Sequence, residues 1–349
     1  MTSSSSTWFS RRLAKKQRGL SLIELMISIT IGLIILAALT TTFVNQSRSR
    51  AELDKTGRLL ENGSYALDVL EEDLRIAGFY GELDPPGDTT IVVPTPTATT
   101  PPDPCSVAAA DMAAALLLHV QGYNNATSGT KPACITETIV PGTDILVVRR
   151  ASTTAVAAGT LGGGTLAPYL QASLCQYDTA KYMLSTAASA FTLRTRVGCT
   201  TSGGTISSVR RFFVHIYFIA ANNVPGDGIP TLKRLDIDTT NTTITPLVEG
   251  VENMQIDYGL DNVTPFNGTV DAWADCSGTS CTNQDWANVV SVRVHLLVRS
   301  LETTSGYTDA KTYTLGGTTV AAPGDAYKRR VYSQFIRLTN PAGRREGAT

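Results

Sequence analysis

Proline is missing from the first 84 residues, the earliest being Pro85. Nothing of the kind that kinks or breaks a helix therefore interrupts that stretch. Acids are missing from residues 1–23, which carry Arg11, Arg12, Lys15, Lys16 and Arg18. Without that segment the chain holds 24 basic and 30 acidic residues, a net charge of −6. A mildly acidic body lacks the basic surface that supplies most affinity for nucleic acid, so no direct nucleic-acid binding is expected. Histidine is scarce: His119, His215 and His295 stand apart from one another and from the cysteines. No Cys-x-x-Cys occurs, so the spacing of a zinc site is absent. HExxH, GxSxG and a Walker loop are also lacking; the triple glycine at 162–164 has no Gly-Lys-Ser/Thr after it. Asp236, Asp238 and Asn241 miss the spacing and the glycine of an EF-hand calcium loop. The reading is of a non-enzyme with no cofactor and no metal.

What is present begins with six cysteines, at 105, 134, 175, 199, 276 and 281. An even count behind an apolar segment points to disulfides in an oxidising compartment. Connectivity does not follow from sequence. Sequential pairing, Cys105–Cys134, Cys175–Cys199 and Cys276–Cys281, closes the shortest loops.

From Leu20 to Val44 the chain is apolar apart from Glu24 and a few serines and threonines. About 25 residues suffice to cross a hydrocarbon core of roughly 30 Å. The preceding basic cluster places the N-terminus in the cytoplasm and the rest outside. A cleaved secretory signal competes, but the helical pattern runs on past Ala37-Ala38-Leu39 without a stop. Glu24 is the exception in this run. An ionised acid in a bilayer costs several kcal/mol, which marks it as functional.

The arrangement Gly19, then Leu20-Ser21-Leu22-Ile23-Glu24, then apolar helix resembles the processing motif of type IV prepilins. The resemblance implies cleavage by a prepilin peptidase between Gly19 and Leu20, N-methylation of Leu20, and retention of Glu24. It also implies a filament core of packed N-terminal helices, in which Glu24 of one subunit pairs with a neighbour's N-terminal amine. Each charge alone is costly in apolar surroundings, and the pair offsets part of that cost while fixing the stagger.

Beyond the membrane, Leu53, Leu60, Leu67 and Leu74 recur every seven residues, with Leu70 and Ala77 in companion positions. This predicts a helix continuing to about residue 78, one apolar stripe toward a head. Asp54, Arg58, Glu61, Asp68, Glu71, Glu72, Asp73 and Arg75 fill the opposite face. Asp54 with Arg58 and Glu71 with Arg75 have the favourable i,i+4 order. Gly78 suits a C-cap, and Gly57 and Gly63 weaken the helix by roughly 1 kcal/mol each.

The head, residues 79–349, reads as β-rich. Residues 84–104 are Pro/Thr-rich and 151–165 are poor in packing groups, so large loop insertions are expected at about 84–205. Strand patterns fall at 144–149, 209–220, 251–259, 289–299 and 331–338. In 289–299, Val290, Val292, Val294, Leu296 and Val298 should face inward, with Ser291, Arg293 and His295 outward. Residues 209–220 are apolar on both faces from Phe212 onward, as in a central strand. Pro225-Gly226-Asp227-Gly228 is a turn. His215 and His295 sit within strand patterns, and Trp273 and Trp286 flank the Cys276–Cys281 loop as packing residues. The plan is α+β, a long helix (leader 1–19, membrane half 20–44, amphipathic half 45–78) on an antiparallel sheet.

The stretches "GRLLENGSYALDVLEEDLRIAGFYGE" (57–82), "LVEGVENMQIDYGLD" (247–261) and "WANVVSVRVHLLVRS" (286–300) resemble the PilW family of minor pilins. That resemblance implies a type IV pilus minor pilin that helps prime assembly near the tip, with twitching motility following. Implied partners are other minor pilins, the major pilin, the prepilin peptidase and the inner-membrane assembly machinery. Membrane lipid surrounds residues 20–44, and the location is the inner membrane, then the pilus. A large pseudopilin of type II secretion shares the same N-terminal chemistry. A bitopic enzyme or sensor with an uncut anchor is a third reading.

Overall fold

The computed structural model describes residues 19, 21–83, 101–162, 165–238, 242–277 and 280–346. Leu20, the leader before Gly19, Asn241 and most of the Pro/Thr-rich stretch lie outside them. The chain divides into two units, Met1–Asp54 and Lys55–Thr349. Helix α1, Leu22–Arg75, runs unbroken through Gly57 and Gly63.

The head contains strands β1 (Val120–Ala126), β2 (Thr143–Val156), β3 (Thr165–Ala172), β4 (Tyr182–Ala187), β5 (Val209–Ala220), β6 (Thr231–Asp236) and β7 (Thr243–Glu249), which form one sheet. Strands β8 (Val251–Leu260), β9 (Ala272–Ala274) and β10 (Val289–Arg299) belong to a second. A hairpin of β11 (Tyr313–Leu315) and β12 (Thr318–Val320) precedes β13 (Arg329–Arg337), which completes the second sheet in the order β13-β10-β8-β9. Short helices α2 (Ala109–Ala114) and α3 (Asn283–Ala287) fill connections, and α4 (Thr339–Glu346) follows β13. Every pairing is antiparallel.

Strand β5 is central in the first sheet and buried on both faces. Tyr217 and Ile219 join a core with α1 and the second sheet, while Phe212, Val214, Ile216 and Phe218 join another with Met112, Leu116 and Ile135. The region expected to be loop insertions thus contributes four strands. Residues 151–156 continue β2 instead of looping, because pairing with β5 satisfies their backbone although their side chains pack little. Asp144 ties the two sheets together: its carboxylate accepts Asn125 N–H at 2.8 Å and Ile256 N–H at 2.8 Å. Burial lifts its pKa to about 7 against the pull of those two amides.

The buried face of α1 departs from the expected stripe. Leu59, Gly63, Ala66, Leu67, Leu70, Asp73 and Leu74 are buried, and Ala77 beyond the helix end joins them. Leu53 is exposed and Leu60 half-exposed. The seam runs 59-63-66-70-73-77, so Asp73 belongs to the core face and not to the charged one. Four buried leucines contribute about 2 kcal/mol each before entropy is counted. Arg75 does bond Glu71, Nε to Oε1 at 2.6 Å, but Arg58 turns to Glu302 at 3.5 Å. Gly78, at φ +69°, ends the helix in the left-handed conformation glycine accepts freely.

Gly63 has a second role. A Cβ there would lie 2.2 Å from Tyr332 Cε2, and Tyr332 is fixed by donating its hydroxyl to Leu59 O at 3.1 Å. Gly63→Ala is expected to lower stability by about 1–2 kcal/mol, overpacking outweighing the better helix propensity. Thermal melting of the head checks this, and an unchanged or raised midpoint would contradict it.

On β10 the alternation holds for Val292, Val294, Leu296 and Val298, which face the core. The opposite face is not wholly solvent-exposed, as expected, because the β11–β12 hairpin covers part of it. Leu297 packs with Tyr313 and Leu315. His295 is buried, its Nδ1 at 2.7 Å from Ser333 Oγ and its Nε2 at 3.2 Å from Asp257 Oδ2. Three acids hold the connection carrying this hairpin. Buried Arg329 meets Glu252 at 2.5 Å, Asp325 at 2.6 Å and Asp309 at 3.1 Å.

Candidate assembly site

The start of α1 is capped by its own side chains. Ser21 precedes the first helical residue and Glu24 follows it within the first turn. Glu24 Oε2 accepts the Ser21 backbone N–H at 3.2 Å, and Ser21 Oγ accepts Ile23 N–H at 3.3 Å. Two of the amides that a helix leaves unpaired at its N-terminus are thereby satisfied. The Ser21-x-x-Glu24 spacing is a capping-box signal legible in the sequence, though Glu24 attracts notice there for its charge. The cap also places an anion at the positive end of the helix dipole. Gly19 is exposed, one residue before the undescribed Leu20.

The rest of the apolar run disposes of its polar groups internally. Ser28 Oγ donates to Glu24 O at 2.7 Å, Thr30 to Met26 O at 2.7 Å, and Thr40 to Leu36 O at 2.7 Å. Thr41 and Thr42 both donate to Ala38 O, at 2.8 and 3.0 Å. Hydroxyls returned to the helix backbone expose no unmet donor to an apolar surrounding. Glu24 is then the one ionisable group between Leu22 and Val44. This helix is long and apolar enough to cross a membrane.

Residues 14–40 match the prokaryotic N-terminal methylation motif. Residues 216–340 match the family described as type IV pilus-assembly protein W, PilW. A PilW domain match thus stands behind a prepilin-type methylation motif on the same chain. A type IV-like pilin from Thermus thermophilus is a similar solved structure, at 12% identity and a TM-score of 0.27, over 57% of this chain and 78% of that one. No curated protein matches the chain.

The PilW match begins inside β5 and ends inside α4, so it takes in the second sheet, the hairpin and all members of the Arg329 cluster. Asp73 of α1 reaches that matched region across the core. Its Oδ1 accepts Arg150 Nε at 2.6 Å, and its Oδ2 lies 2.7 Å from His215 Nδ1 and 2.9 Å from Tyr217 OH. His215 Nε2 lies 3.3 Å from Asp236 Oδ1. Burial raises the Asp73 pKa, but His215 and then Arg150 outweigh it and hold the carboxyl at about 2. No local sequence pattern announces this clamp beyond an acid in a heptad position between Leu70 and Ala77.

The other residues named from sequence serve structure. The six cysteines pair as Cys105–Cys134, Cys175–Cys199 and Cys276–Cys281. His119 is buried against Val289 O, and burial drops its pKa to about 3. Trp286 is buried edge-on to Tyr258. Trp273 is partly exposed, with the Arg293 guanidinium 4.1 Å from its ring centre. Asp236 and Asp238 serve Arg234 and Arg211 at 2.8 and 3.3 Å. Among the described residues, no group of three or more His, Cys, Asp or Glu is placed to hold a metal ion.

Proposed function

We propose that this protein is a minor pilin of a type IV pilus, a structural subunit that helps prime filament assembly near the tip and so supports twitching motility. The reading rests on one observation: a methylation motif and a PilW domain stand on the same chain. In this account a prepilin peptidase cuts between Gly19 and Leu20 in the inner membrane, with the head in the periplasm, and Leu20 is N-methylated. Residues 20–44 sit in lipid and then in the filament core. Glu24 keeps one carboxylate oxygen on its own cap and offers the other to the N-terminal amine of an adjacent subunit. The other minor pilins, the major pilin and the inner-membrane assembly machinery are the partners.

Deletion of the gene tests the assignment. Surface pili are expected to fall sharply while secretion of exoenzymes continues. Normal piliation with lost secretion would instead assign the protein to a type II secretion system.

A further inference from the structure

The free edges of the two sheets differ in how well they are protected. An exposed edge presents unpaired N–H and C=O groups, and proteins blunt it with bulges, proline or brevity. Strand β1 carries a register shift and the positive-φ Asn125. Strand β7 contains Pro246 and pairs with β6 through another shift. Strand β4 is six residues long with a shift against β3, and β9 has three residues. Strand β13 has no bulge or proline and is not short; its only exposed charges are Arg330 and Arg337. It spans nine residues without Pro or Gly and pairs with β10 in nine consecutive positions. Among the described residues no strand pairs with its other side.

The ladder fixes which groups point outward. Leu338 N donates to Val290 O, and Ser300 N donates to Lys328 O. Even-numbered positions therefore face β10, and by antiparallel alternation Val331, Ser333, Phe335 and Arg337 turn their N–H and C=O groups to the open side. Ser333 and Phe335 are exposed, as are Arg330 and Arg337 toward the two ends. Arg337 reaches Glu346, a surface pair that a partner's carboxylate can replace.

A second copy is a poor occupant. β13 runs in the direction of the helix beside it, since Tyr332 touches Leu59 and Asn340 donates to Ala77 O. Copies packed with those helices parallel present β13 in one direction, so pairing sets Arg330 beside Arg330 and Arg337 beside Arg337. Like charges directly opposed weaken a sheet.

We propose that β13 is an acceptor edge for strand addition by the head of a different pilin, whose strand carries carboxylates opposite Arg330 and Arg337 and apolar side chains between them. Main-chain bonds supply the affinity and the two arginines the choice of partner. This rests on the minor-pilin reading for the identity of the partner.

The test uses the full processed chain in detergent, alone and copurified with each of the other minor pilins of its pilus. Residue-resolved amide exchange is expected to slow by about tenfold or more at Val331, Ser333, Phe335 and Arg337 in one such complex. Even-numbered amides, already bonded to β10, should not change. Ser333→Pro, which removes only an outward donor from the ladder, should lose the complex. Ser333→Ala, which lacks the His295 contact but keeps the donor, should retain it, with melting curves confirming that both variants fold. A complex with unchanged odd-numbered amides, equal behaviour of the two variants, protection in a lone dimer, or no complex with any minor pilin overturns the proposal. None of these outcomes bears on whether Leu20 is the processed chain start.

Discussion

Asp73→Ala is expected to destabilise the head by about 3–5 kcal/mol, the cost of removing one member of a buried charged network. The substitution leaves the Arg150 guanidinium and the Tyr217 hydroxyl without their carboxylate, and His215 with Asp236 alone. Nothing on the helix side can take its place, because Leu70, Leu74 and Ala77 surround the position. The same residue sets a pH dependence. Its carboxyl ionises at about 2 when folded, against an ordinary 3.8. A depressed folded pKa contributes stability that is fully present above pH 4 and is lost as pH falls toward 2. The contribution is about 2 kcal/mol. Denaturant titrations of the isolated periplasmic chain across that window should show a shallower slope in Asp73→Ala than in the native protein, the remainder coming from Asp178, Asp309 and Asp325, whose partners also hold their carboxyls below the usual range. A variant within about 1 kcal/mol of wild type would show that this clamp holds little, as for an ordinary surface substitution.

The second large effect concerns Glu24. Under the proposed docking, Glu24→Ala leaves a neighbour's amine unpaired in an apolar core. Removing one partner of a buried pair costs about 3–5 kcal/mol, and each 1.4 kcal/mol is roughly a factor of ten in an equilibrium. Incorporation into sheared pili should therefore fall by about two to three and a half orders of magnitude. Membrane insertion should be unimpaired, since the segment becomes more apolar. Loss of the helix cap is a lesser consequence, on the order of 1 kcal/mol. Glu24→Gln separates the two effects: an amide oxygen still accepts Ser21 N–H but carries no charge. Docking by charge predicts that Gln fails nearly as badly as Ala. If Gln assembles at wild-type yield, the cap and not the charge is what assembly needs.

Much of this was open to a reader of the sequence where one physical signal dominated. The strand from Val209 to Ala220 is continuous in apolar residues because β5 is buried on both faces. The strand from Val289 to Arg299 alternates because one face meets the core. The methylation motif stands out because a lone acid in an apolar run is so costly. Other features rest on tertiary partners that no local pattern declares. Asp73 looks like one more solvated helix charge until Arg150 and His215, far along the chain, arrive beside it. Strands β1, β3 and β4, and the continuation of β2 past the apolar 144–149 stretch, lie in a region rich in Thr, Ala and Gly, where pairing with a strongly apolar neighbour replaces intrinsic propensity. The hairpin that buries His295 consists of two three-residue strands, too short for any periodicity to register.

The central claim is that Leu20 becomes a free, methylated chain start. Mass spectrometry of the protein recovered from cell envelopes and from sheared pili tests it directly. The account predicts an N-terminal peptide beginning at Leu20 and heavier by one methyl substitution, with Met1–Gly19 gone. An intact leader, or a start beyond Ala38 as left by an ordinary signal peptidase, would contradict it.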